Sequence, residues 1–470
     1  MAREHSALDL RGRRVLVMGL GTRSGGLGVT RWLVHQGAEV TVTDLRTEAE
    51  LRPSLEALRD LPVRLVLGEH RREDFERAEI VVRNPAVPRE SPWLALARAA
   101  GARIEMEMTL FFRACPAPVI GVTGTKGKTT TATLCATILR QWRPETVLAG
   151  NLGRSALEAL STIRPDTPVV LELSSWQLEG LDEHGMSPHI ALLTTISPDH
   201  LDRYPSFEAY VDAKRAIARH QAPTDWFVVN RDDPVAWACR DAGAGRIVSF
   251  GRDDGESEGA FWQGERLIWR FAGREEEILT RSAFPLAGDH AVSNALAAAA
   301  AALLRGAALE HVRDGLAAAQ PVPHRLELVA RIGDVEYVND TAATAPAAVV
   351  AALETFQGRS IVLIGGGAAK GVSLAALARV VAARTRAVVL LDGTATPHYQ
   401  AELQAAGAPV YGPYRSMEDA VRCAASLAVP GDVVLLSPGC ASFGLFRDEF
   451  HRGEAFRDAV ARLGVEKGAG

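Results

Sequence analysis

Cysteine is scarce in this chain of 470 residues. The five cysteines are scattered and odd in number: Cys115, Cys135, Cys239, Cys423 and Cys440. No two of them form a C-x-x-C pair. A disulfide framework and a structural zinc site both need paired, regularly spaced cysteines, so neither is favoured. We therefore expect reduced thiols and a cytoplasmic protein.

Long hydrophobic runs and a large excess of one charge are also lacking. The longest apolar run, residues 295–304, is rich in alanine and too short to span a bilayer. Residues 1–14 are polar and charged and contain no signal-peptide apolar region. The formal net charge of −5 provides no bulk attraction for nucleic acid or an anionic membrane. We expect no nucleic-acid partner and no membrane insertion.

What is present is the composition of a soluble globular enzyme, 47% hydrophobic and 23% charged. Strand-like and helix-like segments alternate, beginning with a predicted strand over 14–18, a helix over 28–36 and a strand over 39–43. Runs such as 169–171 and 433–436 are apolar throughout, which is typical of parallel strands buried on both faces. The alternation predicts an α/β protein.

The length suggests about three domains at roughly 150 residues each. Two connectors contain prolines, at 115–118 and 320–323. Proline disfavours helix for itself and for the residue before it, so both connectors indicate boundaries. The predicted domains are 1–115, 116–321 and 322–470.

The most informative segment is V-I-G-V-T-G-T-K-G-K-T-T, residues 119–130. A strand-like run leads into a glycine- and threonine-rich turn that opens a helix, which presents backbone N–H groups to phosphates. Lys128 would reach the outer phosphate oxygens and the Thr129 hydroxyl would bind Mg²⁺. The common P-loop pattern needs a glycine where Val122 stands, so this is a variant. The predicted ATP-binding residues of the loop are Gly124, Thr125, Lys126, Gly127, Lys128, Thr129 and Thr130.

A second glycine turn follows the first predicted strand, and Asp44 ends the next one. Alone, this arrangement suggests a dinucleotide site, but residues 22–28 lengthen the loop beyond that pattern. Another nucleotide, such as a uridine diphosphate, fits these strand ends as well. The candidate residues are Gly19, Leu20, Asp44, Arg46 and Asn84.

Two further segments carry candidate metal ligands. Glu172 ends a predicted strand beside the phosphate loop and suits Mg²⁺, although it could equally be an acid at a helix start. Ser174 and Gln177 are three residues apart and could share one face. His200 follows the apolar run 190–196, where ligands collect. Lys214 would ordinarily be a solvated helix lysine, whereas carbamylation by CO₂ would make it an anionic oxygen ligand.

The last third of the chain has three loop residues at predicted strand ends. Asp340 lies in V-N-D-T, Lys370 follows the glycine turn 364–369, and Ser442 lies in S-P-G-C-A-S-F. Cys440 in the same segment has no identifiable His or Asn partner, so we expect a buried thiol rather than a nucleophile.

These segments, in this order, resemble the Mur ligases, and within that family the glutamate-adding branch. The similarity covers nearly the whole chain. It is carried by T-G-T-K-G-K-T (123–129), G-N-L-G (150–153), L-E-L-S-S-W-Q-L-E (171–179), D-H-L-D-R-Y (199–204), N-A-L-A-A (294–298), P-H-R-L-E (323–327), N-D-T (339–341) and S-P-G-C-A-S-F (437–443).

The resemblance implies a Rossmann-like N-terminal domain, a central P-loop-type ATPase domain with a parallel sheet, and a Rossmann-like C-terminal domain. It further implies that ATP phosphorylates the terminal carboxylate of UDP-MurNAc-L-Ala and that glutamate attacks the acyl phosphate. Lys128 would stabilise the transferring phosphoryl group. Thr129 and Glu172 would hold one Mg²⁺, and His200 with carbamylated Lys214 a second.

The resemblance also assigns the substrate contacts. Asn294, Arg325 and Asp340 would contact ATP; Asn151, Ser174 and Gln177 would face the muramoyl arm; Thr344, Lys370 and Ser442 would bind glutamate. Three places depart from the family: the longer first loop, Ala342 where lysine is frequent, and a shifted aromatic in 447–450. The last two leave D- or L-glutamate open. We expect a monomer.

Other functions are weaker. A folylpolyglutamate-type ligase would not need the nucleotide-type domain that precedes the phosphate loop. A regulatory nucleotide-binding protein would not need Lys128, Glu172, His200 and Lys214 together. A pyridine-nucleotide oxidoreductase would need a shorter first loop.

Overall fold

The computed structural model describes residues 9–21, 24–152, 155–201, 203–253 and 255–468. They form three β-sheets whose strands alternate for the most part with helices, as predicted. The chain divides into two compact units. The first extends to residue 195 and includes 211–283 and 293–318, and the second comprises 196–210, 284–292 and the residues from 319 onward.

Five parallel strands form the first sheet. In chain order its elements are β1 (Arg14–Met18), α1 (Ser24–His35), β2 (Glu39–Asp44), α2 (Glu48–Glu56), β3 (Val63–Leu67), α3 (Arg72–Arg77), β4 (Ile80–Arg83), α4 (Pro92–Ala99), β5 (Arg103–Glu105) and α5 (Glu107–Ala114). The strand order is β3-β2-β1-β4-β5. On one face, Leu16 and Val81 pack against Phe75 of α3 and Leu94 of α4.

Nine strands form the second sheet, which also belongs to the first unit. Its elements are β6 (Val119–Thr123), α6 (Lys128–Trp142), β7 (Val147–Gly150), α7 (Ala156–Ala159), β8 (Val169–Glu172), α8 (Ser175–Glu183), β9 (Ile190–Leu193), α9 (Phe207–Arg219), β10 (Trp226–Asn230), α10 (Pro234–Trp237), β11 (Arg246–Arg252), β12 (Gly259–Gln263), β13 (Arg266–Phe271), β14 (Arg274–Thr280), α11 (Asp289–Arg305) and α12 (Leu309–Ala317). Short 3₁₀ helices lie at Leu160–Thr162 and Arg281–Ala283.

The order of the second sheet is β14-β13-β12-β11-β10-β9-β6-β8-β7. Its strands are parallel from β7 to β12, and β13 and β14 add an antiparallel edge. In register, Glu172 stands beside Val122 on β6 and beside Gly150 on β7. The loops that follow β6, β7 and β8 therefore emerge together at one edge, where parallel sheets bind ligands.

The third sheet lies in the second unit. Its elements are β15 (Glu327–Ile332), β16 (Val335–Asn339), α13 (Pro346–Thr355), β17 (Ile361–Gly365), α14 (Ala375–Arg384), β18 (Ala387–Leu391), α15 (Thr396–Ala405), β19 (Val410–Tyr414), α16 (Met417–Leu427), β20 (Val433–Leu436) and α17 (Glu449–Gly468). The order is β15-β16-β20-β17-β18-β19, parallel except for the β15–β16 pair.

Alternate residues of β17 enter two separate cores. Leu363 packs in the core that contains Val349 and Leu377, whereas Val362 and Ile364 pack in the core that contains Phe456. Both faces of this sheet are therefore buried. That explains why its strands are apolar throughout rather than alternating with polar residues.

The start of α1 differs from the prediction. The helix expected over 28–36 begins at Ser24, so the long loop expected over 22–28 is wrong at least from residue 24 onward. The Thr30 hydroxyl donates to the carbonyl oxygen of Gly26 at 2.8 Å, within the first turns of the helix. Glycine has a poor intrinsic helix propensity, and tertiary packing overrides it here. Residues 22–23 lie outside the described residues, and the predicted boundaries at 115/116 and 321/322 stay predictions.

Candidate active site

The phosphate loop connects β6 to α6 and is held by two glycines with positive φ, Gly124 at +147° and Gly127 at +88°. A Cβ atom on Gly124 would lie 1.9 Å from the Thr194 hydroxyl oxygen, and one on Gly127 would lie 2.5 Å from Asn294 Oδ1. Only glycine can therefore occupy both positions. The Lys128 ammonium group donates to the carbonyl oxygens of Gly124 at 3.0 Å and Thr125 at 2.9 Å, so it lies over the loop.

The end of β9 supports the loop from one side. The backbone N–H of Thr125 donates to the carbonyl oxygen of Thr195 at 2.6 Å. The Thr194 hydroxyl donates to the carbonyl oxygen of Lys126 at 2.6 Å. Thr194 and Thr195 were not predicted as part of the site. The only signal for them in the sequence is that two polar residues directly follow the apolar residues 190–193.

Glu172 is buried at the end of β8 and accepts hydrogen bonds from two neighbouring loops. The Thr129 hydroxyl donates to Oε2 at 2.7 Å, and Asn151 Nδ2 donates to Oε1 at 3.1 Å. The backbone N–H of Asn151 also donates to the Glu172 carbonyl oxygen at 2.9 Å. The carboxylate thus joins the predicted metal ligand Thr129 to the predicted substrate residue Asn151. Gly153, in the same motif, lies outside the described residues.

Three other predicted residues of this sheet have structural partners. Asn294, buried on α11, accepts a hydrogen bond from the Thr131 hydroxyl at 3.2 Å. Ser174 caps α8 and forms a capping box with Gln177, whose N–H donates to the Ser174 hydroxyl at 3.3 Å. Ser174 and Gln177 therefore contact each other at the start of α8. Thr130, the last residue of the predicted loop set, is half-buried in the first turn of α6.

The candidate nucleotide residues of the first sheet meet at its carboxyl edge. The Asp44 carboxylate accepts from the backbone N–H of Gly21 at 3.0 Å and from that of Arg46 at 2.9 Å. Asn84 Nδ2 donates to the Gly19 carbonyl oxygen at 3.4 Å. Leu20, which stands between Gly19 and Gly21 in the sequence, is completely buried, whereas Arg46 is exposed. These hydrogen bonds therefore hold the 19–21 turn and the Asp44 carboxylate in place at the strand ends.

His200 and Lys214 have unusual environments. His200 has a positive φ of +54°, a conformation that non-glycine residues adopt rarely and that is frequent at functional sites. Lys214, on α9, is only 2% exposed. The interpretation of Lys214 as a solvated helix lysine is wrong, because it lies on the same helix face as buried Tyr210 and Ile217 at i−4 and i+3. Asp202, in the motif with His200, lies outside the described residues.

In the second unit, Asp340 follows β16 and is held on both carboxylate oxygens. The Ser437 hydroxyl donates to Oδ2 at 2.8 Å, and the backbone N–H of Leu326 donates to Oδ1 at 3.3 Å. Arg325, which precedes Leu326, is half-buried. Arg325 and Asp340 therefore lie on adjoining segments.

Lys370 contacts Thr344, another of the predicted glutamate residues. Its ammonium group contacts the Asp199 carboxylate at 3.0 Å and the Thr344 hydroxyl at 3.3 Å. The glycine turn before Lys370 pairs with the loop that carries buried Ser442, because Ala368 and Ala441 exchange two backbone hydrogen bonds. Asp199 was not predicted, although it directly precedes His200 in the sequence.

A buried guanidinium supports the same loops. Arg452 of α17 donates to the Thr341 hydroxyl and carbonyl oxygens, each at 2.9 Å, and to the Cys440 carbonyl oxygen at 3.2 Å. Burial lowers the pKa of Arg452 to about 10 and raises the pKa of the Cys440 thiol to about 11. Cys440 is buried as predicted, and at neutral pH it is a protonated thiol rather than a nucleophile.

Two broader properties concern the described part of the chain. Within it, no cluster of three or more His, Cys, Asp and Glu side chains is arranged to hold a metal ion. No helix there combines the length and apolar character needed to cross a bilayer.

Comparison with known proteins adds the family. Family models described as "Mur ligase MurD-like, N-terminal domain", "Mur ligase middle domain" and "Mur ligase, glutamate ligase domain" match residues 13–105, 122–302 and 324–440. A Roseiflexus protein named UDP-N-acetylmuramoylalanine–D-glutamate ligase is 55% identical over 96% of this chain and 99% of its own length. The chain belongs to the Mur ligase family. As a Mur ligase it is an ATP-dependent enzyme of peptidoglycan precursor synthesis.

Other relatives agree with this assignment. A Symbiobacterium thermophilum protein with the same name is 41% identical, covering 96% of this Mur ligase and 98% of its own chain. Among solved structures, UDP-N-acetylmuramate-alanine ligase from Thermotoga maritima matches with a TM-score of 0.60 and 21% identity over 96% of this chain and 99% of its own. MurF from Acinetobacter baumannii matches with a TM-score of 0.61 and 19% identity, over 97% and 91%. The structural matches show the shared three-domain α/β fold.

Proposed function

We propose that this Mur ligase joins D-glutamate to UDP-N-acetylmuramoyl-L-alanine, with ATP and Mg²⁺. The observation that carries the chemistry is the meeting of Thr129 and Glu172 at the carboxyl edge of the second sheet, beside Lys128. The similarity to relatives named as D-glutamate ligases supports the choice of substrates. L-glutamate and folate-type substrates receive no such support.

The phosphate loop would bind the ATP phosphates. Gly124–Thr130 surround the start of α6, where backbone N–H groups and the helix end favour anions. Lys128 already lies over the loop through two carbonyl contacts, which phosphate oxygens would replace with stronger charge-assisted bonds. Its charge would stabilise the transferring phosphoryl group. Asn294, Arg325 and Asp340 would contact the rest of the nucleotide.

The residues at Glu172 suit Mg²⁺. Mg²⁺ prefers oxygen ligands, retains several waters and commonly binds through one or two carboxylates together with substrate phosphates. A hydroxyl oxygen and a carboxylate oxygen 2.7 Å apart are of this type, and two side chains suffice. Thr129 and Glu172 would hold the ion, which when bound would offset charge on the phosphates.

His200 and Lys214 would hold a second Mg²⁺. Burying an ammonium group is costly, and Lys214 is 2% exposed. Carbamylation would replace the cation by an anionic oxygen ligand, which explains why a lysine is useful at a buried position.

The remaining proposed substrate contacts come from residues of different sheets. Gly19, Leu20, Asp44, Arg46 and Asn84 would bind the uridine diphosphate at the edge of the first sheet. Asn151, Ser174 and Gln177 would face the muramoyl arm, close to Glu172 through the Asn151 hydrogen bond. Thr344, Lys370 and Ser442 would bind glutamate, with the Lys370 ammonium group paired to a substrate carboxylate.

The reaction has two steps. A terminal carboxylate oxygen of the UDP-substrate attacks the γ-phosphorus of ATP, and ADP leaves. The glutamate amine then attacks the carbonyl carbon of the acyl phosphate, the C–O bond breaks, and phosphate leaves as the amine loses its proton. Two anions must approach each other in the first step, so the cations and helix end of the loop reduce their repulsion.

We further propose a monomeric cytoplasmic enzyme with domains 1–115, 116–321 and 322–470. All five cysteines are free, which suits a reducing compartment. The three family matches fall within these three spans and support the boundaries.

Isotope transfer tests the function directly. UDP-N-acetylmuramoyl-L-alanine with ¹⁸O in its terminal carboxylate is incubated with the enzyme, ATP, Mg²⁺ and D-glutamate. Transfer of one labelled oxygen to the released phosphate, seen by ³¹P NMR, is expected because the carboxylate oxygen bridges to phosphorus. Unlabelled phosphate would contradict the acyl-phosphate route, and no ADP would contradict the ligase activity.

A further inference from the structure

Glu107 is a buried acid outside the proposed chemistry. It begins α5, and its carboxylate oxygen Oε1 accepts two hydrogen bonds from the start of α7. The Ser155 hydroxyl donates at 2.6 Å and the backbone N–H of Ala156 donates at 2.9 Å. Glu107 therefore caps a helix that is distant in sequence and that follows the Asn151 loop of the second sheet.

The first turns of α1 pass against the same group. A Cβ atom on Gly25 would lie 3.4 Å from Glu107 Oε2, and a Cβ on Gly28 would lie 2.1 Å from the Ser155 Cβ. The backbone of α1 thus contacts the carboxyl group and its hydrogen-bond partner without intervening side chains. Glu107 stands where α1, α5 and α7 meet.

The protonation state of Glu107 changes near neutral pH. Burial raises the pKa of the Glu107 carboxyl to about 7, against the lowering effect of the Ser155 and Ala156 hydrogen bonds. Glu158 of α7 adds a smaller upward contribution to this pKa.

Several other charges on the packed elements form ion pairs, among them Arg113 of α5, which lies 3.1 Å from Glu105. Arg31 of α1 lies 3.5 Å from Glu158. On α8, Glu183 lies 3.8 Å from both Arg83 of β4 and Arg98 of α4. Arg23 and Arg154, next to these segments in the sequence, lie outside the described residues.

We infer that Glu107 is a positioning residue of the nucleotide-substrate site, which holds the first turns of α1 to the start of α7 and takes up a proton when the anionic substrate binds. This inference rests on the proposed function, in which the diphosphate of the UDP-substrate lies at the glycine turn that leads into α1. Glu107 does not touch the reacting atoms.

The physical reason is competition for one helix end. The N-terminal turn of α1 favours an anion, and both the substrate diphosphate and an ionised Glu107 would be that anion. A bound diphosphate disfavours the charged form of Glu107 and raises its pKa further. Binding is then strongest where Glu107 is already neutral, below about pH 7, and weakens as the pH rises through the pKa of the free protein.

Calorimetric titration of UDP-N-acetylmuramoyl-L-alanine into the enzyme measures this proton. At about pH 7.5 the diphosphate diester and the carboxylate of this probe are ionised and its uracil N3–H keeps its proton, so the probe itself takes up none. Titrations in phosphate and Tris buffers at about pH 7.5 are expected to show uptake of about half a proton for a one-unit rise in the pKa of Glu107. The dissociation constant should rise about tenfold between about pH 6 and pH 9, since one pKa unit equals a tenfold change.

Three variants distinguish the effect of Glu107 from the effects of other acidic residues. Glu107→Gln keeps the acceptor for Ser155 and should abolish both the proton uptake and the pH dependence. Glu158→Gln removes the charge that raises the pKa of Glu107, so the pH profile should move to lower pH with the uptake retained. Glu48→Gln, an exposed acid on α2, should behave as wild type.

The outcomes are distinguishable. Unchanged proton uptake in Glu107→Gln would overturn the inference while leaving the proposed function intact. Failure of the wild type to bind the probe would overturn the proposed nucleotide site, and the inference with it. If Glu107→Gln does not fold, infrared difference spectra of the wild type test the proton uptake instead. A carboxylic-acid C=O band should appear on binding at about pH 7.5, and its absence would overturn the inference.

Discussion

The Thr129 hydroxyl donates a hydrogen bond to the Glu172 carboxylate at 2.7 Å. Thr129 lies in the first turn of α6 and Glu172 ends β8, so this contact joins a helix start to a strand end, between residues that are 43 positions apart. The neighbouring parallel strands β6 and β8 bring the two oxygens together, and Lys128 precedes Thr129 in the chain. The contact therefore defines the part of the site in which phosphate chemistry would take place.

Replacing the carboxylate should remove magnesium activation with little change in fold. Glu172→Gln keeps the size of the side chain and an acceptor for Thr129, but it lacks the negative charge that Mg²⁺ requires. We expect kcat to fall about 100-fold or more, or roughly 3 kcal/mol in the barrier. Rates measured over a range of Mg²⁺ concentrations test this. The exposed Glu145→Gln in the same domain is the control, and near-wild-type activity in Glu172→Gln would remove Glu172 from the metal site.

Lys214→Ala should be nearly inactive and partly rescued by acetate. A carbamylated lysine supplies an anionic oxygen, which a short carboxylate can replace, whereas it cannot replace an ammonium group. Enzyme prepared in ¹³C-bicarbonate should show a carbamate ¹³C NMR signal that is absent from Lys214→Ala. Loss of activity without rescue and without this signal would indicate an ordinary structural lysine.

Two helical glycines should respond oppositely to alanine. A Cβ on Gly28 would lie 2.1 Å from the Ser155 Cβ, so Gly28→Ala should lower the free energy of unfolding by about 1–3 kcal/mol through overpacking. A Cβ on Gly464 would approach Ile332 only to 3.5 Å, so Gly464→Ala on α17 should raise it by about 0.5–1 kcal/mol. Chemical denaturation measures both. If Gly28→Ala had the same free energy of unfolding as the wild type, the close contact of α1 with Ser155 would be refuted.

The native protein should expose one reactive thiol. Burial raises the pKa of Cys135 to about 12 and that of Cys440 to about 11, and it also raises the pKa values of Cys115 and Cys239. Their thiolate forms are therefore rare at about pH 8, whereas Cys423 is only half-buried. Disulfide-exchange titration should modify about one thiol before denaturation and all five after it. Cys423→Ser should abolish the native reaction, and rapid modification of several thiols would contradict the described cores.

Local patterns predicted much of this molecule. The phosphate loop, the strand before it and the acid at the end of β8 could be read from the sequence, because a few adjacent residues determine each of them. The burial of Lys214 could also have been predicted. Tyr210, Lys214 and Ile217 have the i, i+4, i+7 spacing of one helix face, and the two neighbours are apolar.

Contacts between distant segments could not be predicted in the same way. The pairing of Lys370 with Asp199 joins residues 171 positions apart, and no local pattern specifies it. The early start of α1 depends on close packing against Ser155, which compensates for a glycine-rich first turn. Glu107 is one acid among many in the sequence, and only its surroundings in the fold distinguish it.

In the proposed reaction, ATP is consumed to join D-glutamate to the UDP-substrate. ADP formation is measured with UDP-N-acetylmuramoyl-L-alanine, ATP and Mg²⁺ in three parallel reactions that contain D-glutamate, L-glutamate or no amino acid. We predict rapid ADP formation with D-glutamate, matched mole for mole by the new amide in mass spectra, and background rates in the other two. A rate that is higher with L-glutamate, or equal without an amino acid, would contradict the proposed reaction.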